Sequence, residues 1–189
     1  MSEALAYKEE YEAYEVINGE VYMMARPSVS HWKISNNIIR TFERFLRGKN
    51  CEAFGEIDVH LSKKDNFIPD AMIVCNPDIV KEDGIHGAPD LVVEVLSPST
   101  ALKDRTVKLF TYAKHGVKEY WLVDPLNRIV EVYHLIEGKY ELDKLCVDYR
   151  EKDWERLTER QKAETEKKIK VSLYDDFIVD VSEVFRGVD

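Results

Sequence analysis

The spacing of apolar and polar residues changes period several times along the chain, and each change marks an element. Tyr14, Val16 and Ile17 precede Asn18-Gly19, a strong two-residue turn signal, and Val21 to Met24 follow, so Tyr11 to Ala25 predicts an N-terminal β-hairpin. After Pro27 and a candidate cap at Ser30, Ile34, Ile38, Phe42 and Phe45 recur at helical spacing up to Gly48. That spacing predicts an amphipathic helix packed along one stripe. Glu56 to Leu61 alternates polar and apolar side chains, Asp65-Asn66 turns, and Phe67 to Val74 reads as one largely apolar strand. Residues 76–90 hold Asn76-Pro77, Gly84, Gly87 and Pro89 and predict a loop with at most one helical turn.

The most apolar strand is Leu91 to Leu96. Ser97-Pro98-Ser99-Thr100 then opens a helix that runs to about His115 and closes at Gly116. Tyr120 to Val123 predicts a strand, Asp124-Pro125-Leu126-Asn127 a turn, and Ile129 to Leu135 an alternating return strand, with a further short strand after Glu137-Gly138. A strand, helix, strand unit with buried strands implies a mixed α/β (α+β) fold with a partly parallel sheet. Asp148 to Lys170 carries eight basic and seven acidic residues and predicts a solvated, helical insertion. Val171 to Phe185 returns to apolar alternation and closes the domain. At about 150 residues per domain, the 189 residues are read as one unit, 1–189.

Composition narrows the function. There are 36 acidic and 27 basic side chains, a formal net charge of −9, which is not the footprint of a protein that binds nucleic acid with its whole surface. No apolar run approaches the roughly 20 residues of a membrane span, and Met1-Ser2-Glu3 lacks the basic start of a secretory signal. Cys51, Cys75 and Cys146 are odd in number and far apart, so they are expected to form neither a disulfide framework nor a zinc ligand set, and a reducing cytoplasm is the expected location.

The chemistry concentrates on a few residues. Glu94 interrupts Leu91-Val92-Val93-Glu94-Val95-Leu96, and a carboxylate in such a strand is costly to bury unless paired, protonated or bound to a cation. Asp70, at the mouth of the preceding apolar strand, is the second such acid. Two carboxylates on neighbouring strands can share a divalent metal, and magnesium is satisfied by two carboxylates and a carbonyl, for example that of Val95. Asp90 is excluded as a partner, since it lies four residues from Glu94 on one strand, about 13 Å away. Glu94 stands roughly 10 Å of strand before Ser97. Lys108 stands roughly 12 Å of helix after Thr100. If the helix folds back over the sheet, the two end level and the lysine can meet a phosphate; Lys103 and Lys114 are expected to be wet. His31, Glu56, Asp58 and Tyr112 are accessory candidates: His31 opens the first helix, Glu56 and Asp58 share one strand face, and Tyr112 follows Lys108 by one turn. There is no Gly-rich phosphate loop and no Gly-x-Ser-x-Gly elbow.

The runs Pro69-Asp70, Pro89-Asp90-Leu91-Val92-Val93-Glu94-Val95-Leu96-Ser97-Pro98-Ser99-Thr100, Lys108-Leu109 and Gly116-Val117-Lys118-Glu119-Tyr120-Trp121-Leu122-Val123-Asp124-Pro125 resemble the Uma-two family. These are restriction-endonuclease-like proteins of the PD-(D/E)XK nuclease superfamily. The resemblance implies a mixed β-sheet flanked by helices and a metal-dependent phosphodiesterase centre with Asp70 and Glu94 as its acids. The superfamily's lysine would fall where this chain has Leu96, and Lys108 looks like its migrated counterpart.

The expected function is thus a Mg2+- or Mn2+-dependent endonuclease acting on DNA, with Asp70, Glu94 and Lys108 as its centre. The rival is a binding module for nucleic acid or protein that keeps the nuclease fold without catalysis. The Trp- and Tyr-rich strands suggest a homodimer, and Lys103, Arg105, Lys108, Lys114 and Lys118 suggest a local basic patch.

Overall fold

A computed structural model describes residues 13–188, so Tyr11 and Glu12 of the predicted hairpin lie outside the described residues. In chain order the elements are β1 (Tyr14–Ile17), β2 (Glu20–Met23), α1 (Val29–Leu46), β3 (Glu52–Phe54), β4 (Val59–Ser62), β5 (Asp65–Phe67), β6 (Ala71–Val74), β7 (Val80–Lys81), β8 (Gly84–Ile85) and β9 (Leu91–Val95). There follow α2 (Ala101–Lys103), a π-helical turn Asp104–Lys108, α3 (Leu109–His115), β10 (Glu119–Asp124), β11 (Ile129–Ile136), β12 (Lys139–Val147), α4 (Glu151–Trp154), α5 (Glu159–Glu164), β13 (Lys168–Lys170), β14 (Ile178–Asp180) and α6 (Val181–Val184).

Two six-stranded mixed sheets form the body. One has the order β2-β1-β5-β4-β8-β7, the other β12-β11-β10-β9-β6-β3. Only β4–β8 and β9–β10 run parallel within them. The fold class therefore matches the expectation. The Asn18-Gly19 turn has positive φ at both residues, 53° and 88°, which twists β1 and β2 in the sense a two-residue hairpin needs.

Central strands β6, β9 and β10 are buried on both faces, which is why they read as largely apolar runs with Glu94 as the exception inside β9. Ala71, Ile73, Leu91, Val93, Val95, Trp121 and Val123 face α1 and the C-terminal elements, where Ile34, Ile38 and Phe42 fill the space. Met72, Val92, Leu96, Tyr120 and Leu122 face the first sheet and α3, meeting Ile17, Val59, Phe67 and Tyr112. Tyr120 and Trp121, which suggested a homodimer, are fully buried core residues and supply no subunit surface.

Several expectations change. The apolar run from Phe67 to Val74 is not one strand: it breaks at Pro69-Asp70, sending β5 into the first sheet and β6 into the second. Ser28, not Ser30, caps α1, its hydroxyl accepting the His31 N–H at 3.2 Å. The strand after Gly138 is nine residues long, not short. Asp148 to Lys170 forms two short helices and β13 instead of one solvated helix. Cys51 and Cys75 are joined by a disulfide, correcting the expectation of unpaired thiols: Glu52 pairs with Val74 in the β3–β6 register, which brings the next residues outward face to face. Its presence removes the argument from free cysteines to a reducing compartment. Cys146 is free and buried, and burial pushes its thiol up to about 11. No helix among the described residues is long and apolar enough to cross a membrane.

Candidate active site

The break at Pro69 places Asp70 immediately before β6, with Ala71 opposite Val93 in the antiparallel β6–β9 pair. Extending that register by one residue sets Asp70 opposite Glu94. Asp70 is held from two sides: the Val95 N–H donates to Oδ2 at 2.6 Å, and His31 Nε2 lies 2.6 Å from Oδ1. Val95 thus reaches Asp70 through its amide. His31 comes from the first turn of α1, so the predicted helix start carries an accessory residue to the acid. Burial alone would lower the basicity of its imidazole, but the Asp70 hydrogen bond and charge outweigh it, with Glu56 adding in the same sense, and the proton is held above the usual histidine range.

Glu94 is 4% exposed, on the face of β9 that meets the 101–115 helical stretch. Tyr112 donates to Glu94 Oε1 at 2.8 Å, and Lys108 Nζ lies 3.0 Å from the same oxygen. The distance arithmetic for Lys108 holds because the helix folds back on the sheet. Between α2 and α3 it carries the wider π turn, a local irregularity common at functional sites. Asp104 and Lys108 are both buried within that turn, and Tyr112 follows them four residues on.

Three further residues complete the cluster and were not expected from the sequence. Glu15 on β1 is 1% exposed and accepts Lys108 Nζ at 2.6 Å on one oxygen and Lys103 Nζ at 2.8 Å on the other. Asp104 Oδ1 lies 3.5 Å from Lys108 and is buried without a hydrogen bond. Lys103, expected to be wet, is instead drawn in by Glu15. The signal for Glu15 resembled that for Glu94, an acid within Tyr14-Glu15-Val16-Ile17, but alternation in so short a strand does not say which face is buried.

The titration behaviour follows from this crowding. Burial raises the Glu94 carboxyl well above its ordinary range; Lys108 opposes the rise, while Asp104, Glu15 and Asp70 add to it. Asp104 is raised for the same reasons, burial foremost. Glu15 goes the other way, because its two lysines outweigh the cost of burial. Lys108 is pushed up: burial opposes its charge, but Glu94, Glu15 and Asp104 together dominate.

Of the accessory acids, Glu56 is near and Asp58 is not. Glu56 has φ 53°, which breaks the expected alternation, and its N–H donates to Pro69 O at 3.0 Å, beside Asp70. Asp58 instead accepts the Asn66 side-chain N–H at 2.7 Å in the first sheet. Asp90 sits at the far end of β9 between the Cys75 N–H and Lys118. The expected basic patch is largely neutralised by partners: Lys103 and Lys108 as above, Arg105 with Glu131 and Lys118 with Asp90, while Lys114 lies 4.0 Å from Asp65 and stays mostly exposed.

Comparison with known proteins agrees with this architecture. A crystal structure of an Anabaena variabilis protein described as a "putative nuclease" superposes with a TM-score of 0.69 over 92% of this chain and 90% of that one, at 20% identity, a likeness of fold. An uncharacterised protein of Synechocystis sp. is 32% identical over 126 residues, 65% of this chain and 66% of that protein, so the chain spans just under two thirds of that relative. The family model Uma2, described as "Putative restriction endonuclease", matches residues 1–165. With that match over most of its length, the chain belongs to the Uma2 family of restriction-endonuclease-type proteins.

Proposed function

We propose that the chain is a divalent-metal-dependent endonuclease that hydrolyses DNA phosphodiester bonds at the cluster of Asp70, Glu94 and Lys108. The observation that carries this reading is the register that opposes two carboxylates on adjacent strands, with a lysine ammonium 3.0 Å from one of them.

The residues suit magnesium or manganese. The donors are carboxylate oxygens, which hard cations prefer. Four acids, Glu15, Asp70, Glu94 and Asp104, gather with Lys103, Lys108 and His31, and Asp104 Oδ1 is buried without a hydrogen bond. A divalent cation would balance that excess. Asp70 and Glu94 would hold it, with the Val95 carbonyl as a third oxygen; when bound it supplies an acidified water and charge neutralisation at the phosphate.

The chain's own residues do the rest. Lys108 stays protonated at working pH, so it withdraws no proton from water; it acts as a fixed positive charge against the charge that develops on the phosphate. His31 and Tyr112 are positioning residues, fixing the orientations of Asp70 and Glu94.

The test uses purified chain, supercoiled plasmid and manganese or magnesium. Nicking is expected, and Asp70→Ala and Glu94→Ala should each abolish it while circular dichroism confirms folding. Nicking that survives both substitutions sinks the assignment.

A second reading, a nuclease-fold module that binds nucleic acid or protein without cutting, is favoured by Leu96 at the superfamily's lysine position and by the paired cations of the 101–118 segment. Magnesium calorimetry separates the two. Binding that depends on Asp70 and Glu94 supports the enzyme; no heat above dilution supports the module.

A further inference from the structure

On the side of the first sheet that faces away from Glu94 and Lys108, a second cluster of ligating side chains forms. Strands β4 and β8 run parallel with Val59 opposite Ile85, both buried in the core. The next residue in the chain after each, His60 on β4 and His86 just past β8, therefore emerges on the outer face, and their rings lie side by side with centroids 4.7 Å apart. The β7–β8 hairpin returns Asp83 to the same point, where its Oδ1 is 2.9 Å from His86 Nε2. One ligand atom from each of His60, Asp83 and His86 lies within 4.8 Å of the others.

The backbone holds these three in place. The Ile85 N–H donates to Asp58 O at 2.8 Å, and the His86 N–H to Ile79 O at 2.7 Å. Gly84 has φ +139°, and a Cβ there would stand 2.5 Å from Asp58 O, so only glycine lets the hairpin approach β4 this closely. A further observation points to a missing donor. Asn66, the cross-strand partner of His60, has its Nδ2 fixed on Asp58 at 2.7 Å, while its Oδ1 is buried with no hydrogen bond. An imidazole N–H oriented by a metal on its other nitrogen, or a metal-bound water, supplies such a donor.

We propose that His60, Asp83 and His86 bind one transition-metal ion of the zinc class, with water completing a four-coordinate shell. Two imidazoles and one carboxylate form a nitrogen-rich set that suits zinc, cobalt or nickel and not magnesium, in contrast to the oxygen donors around Asp70 and Glu94. The bound ion ties the β7–β8 hairpin, at the edge of the sheet, to β4. The site stands independently of the nuclease reading.

The experiment uses tag-free full-length chain dialysed against cobalt(II) alone, with metal content per chain measured and the visible d–d absorption recorded. One cobalt per chain is expected to remain in excess magnesium, which competes for the carboxylate cluster, with the spectrum of a four-coordinate nitrogen and oxygen site. His60→Ala and His86→Ala should each weaken binding by roughly 100-fold, and Asp83→Asn by roughly tenfold or more. Asp70→Asn and Glu94→Gln should leave the spectrum intact. Asp83 and His86 are exposed and His60 is half-buried, so folding of the variants is checked directly by circular dichroism. Cobalt binding unchanged in the His60→Ala/His86→Ala double variant, cobalt lost only in the Asp70 or Glu94 variants, or no stoichiometric cobalt in the wild type would each overturn the proposal.

Discussion

Replacing Lys108 by methionine removes the charge at the centre of the cluster while keeping most of the stem that packs there. The ammonium stands 2.6 Å from Glu15, 3.0 Å from Glu94 and 3.5 Å from Asp104, and the residue is only 3% exposed. Removing one partner of a buried ion pair costs about 3–5 kcal/mol, because the remaining charge is left unpaired. Here three carboxylates lose one partner, though Lys103 still faces Glu15 and protonation relieves the other two. A loss near 4 kcal/mol is therefore about a quarter to four fifths of a domain's stability of about 5–15 kcal/mol. At a urea m-value of about 2.5 kcal/mol/M it lowers the unfolding midpoint by roughly 1.5 M. The pH dependence has a definite sign. Glu94 and Asp104 are already held above the ordinary carboxylate range, so their ionised forms destabilise the fold; that penalty is absent below about pH 4, where both states are protonated, and grows as pH rises through the folded values. The Lys108→Met deficit should thus widen with pH. Adding Glu94→Gln should recover part of it, with a coupling of about 1–3 kcal/mol in a double-mutant cycle. A Lys108→Met protein within about 1 kcal/mol of wild type, or strict additivity with Glu94→Gln, refutes the charge-balance account.

Three further outcomes follow from the same geometry. His31→Gln should weaken magnesium binding roughly 10–100-fold by calorimetry without unfolding the chain, since it frees Asp70 from one of its two orienting contacts; unchanged affinity contradicts that role. Asp65 accepts the Asn18 N–H, the Ser62 hydroxyl and a contact from His115, which outweigh its burial and hold its carboxyl below the usual range. Its stabilisation is fully present above the unfolded value and is lost as pH falls through the lower folded one, so Asp65→Asn should cost about 1–3 kcal/mol at neutral pH, and the gap should close in acid; a gap that persists in acid denaturation curves would count against it. DNA binding, followed by fluorescence anisotropy, should need a divalent ion and show a shallow salt slope of about −2 to −3, as few phosphates meet free cations; a steep slope in the presence of chelator would point to a basic surface elsewhere.

What could be read from the sequence was whatever violated a local rule. Glu94 stood out because a charge inside a five-residue apolar strand has no cheap explanation, and Lys108 followed from rise per residue in strand and helix. Glu15 was hidden because alternation in a four-residue strand fixes two faces but not which one is buried. The β1 register turns Glu15 and Ile17 inward and leaves Val16 half exposed, the reverse phase of the obvious reading. Asp104 looked like an ordinary surface acid of a helix, and only the π turn buries it together with Lys108. The Phe67 to Val74 run concealed a change of sheet, since apolar character does not record which neighbour a strand pairs with. Cys51 and Cys75 were unreadable as a pair for the same reason: they stand 24 positions apart in the chain, and their contact depends on the β3–β6 register.

Charge ties these points to function. A net −9 argues against a surface that gathers DNA by itself, and the lysines and arginine from 101 to 118 do not reverse that locally, because Glu15, Glu94, Asp104, Glu131 and Asp90 neutralise them. Lys114 and Lys118 are the cations of that segment whose side chains stay largely in solvent, 65% and 67% exposed, and Lys118 still ends on Asp90. If the cluster is the proposed nuclease centre, the attraction a phosphate needs would come from the cation it holds, so substrate binding itself, and not merely the chemistry that follows, would be conditional on the ion. On the proposed nuclease reading, the carboxylates that repel a phosphate without a metal would become its anchor once a divalent ion balances their excess charge.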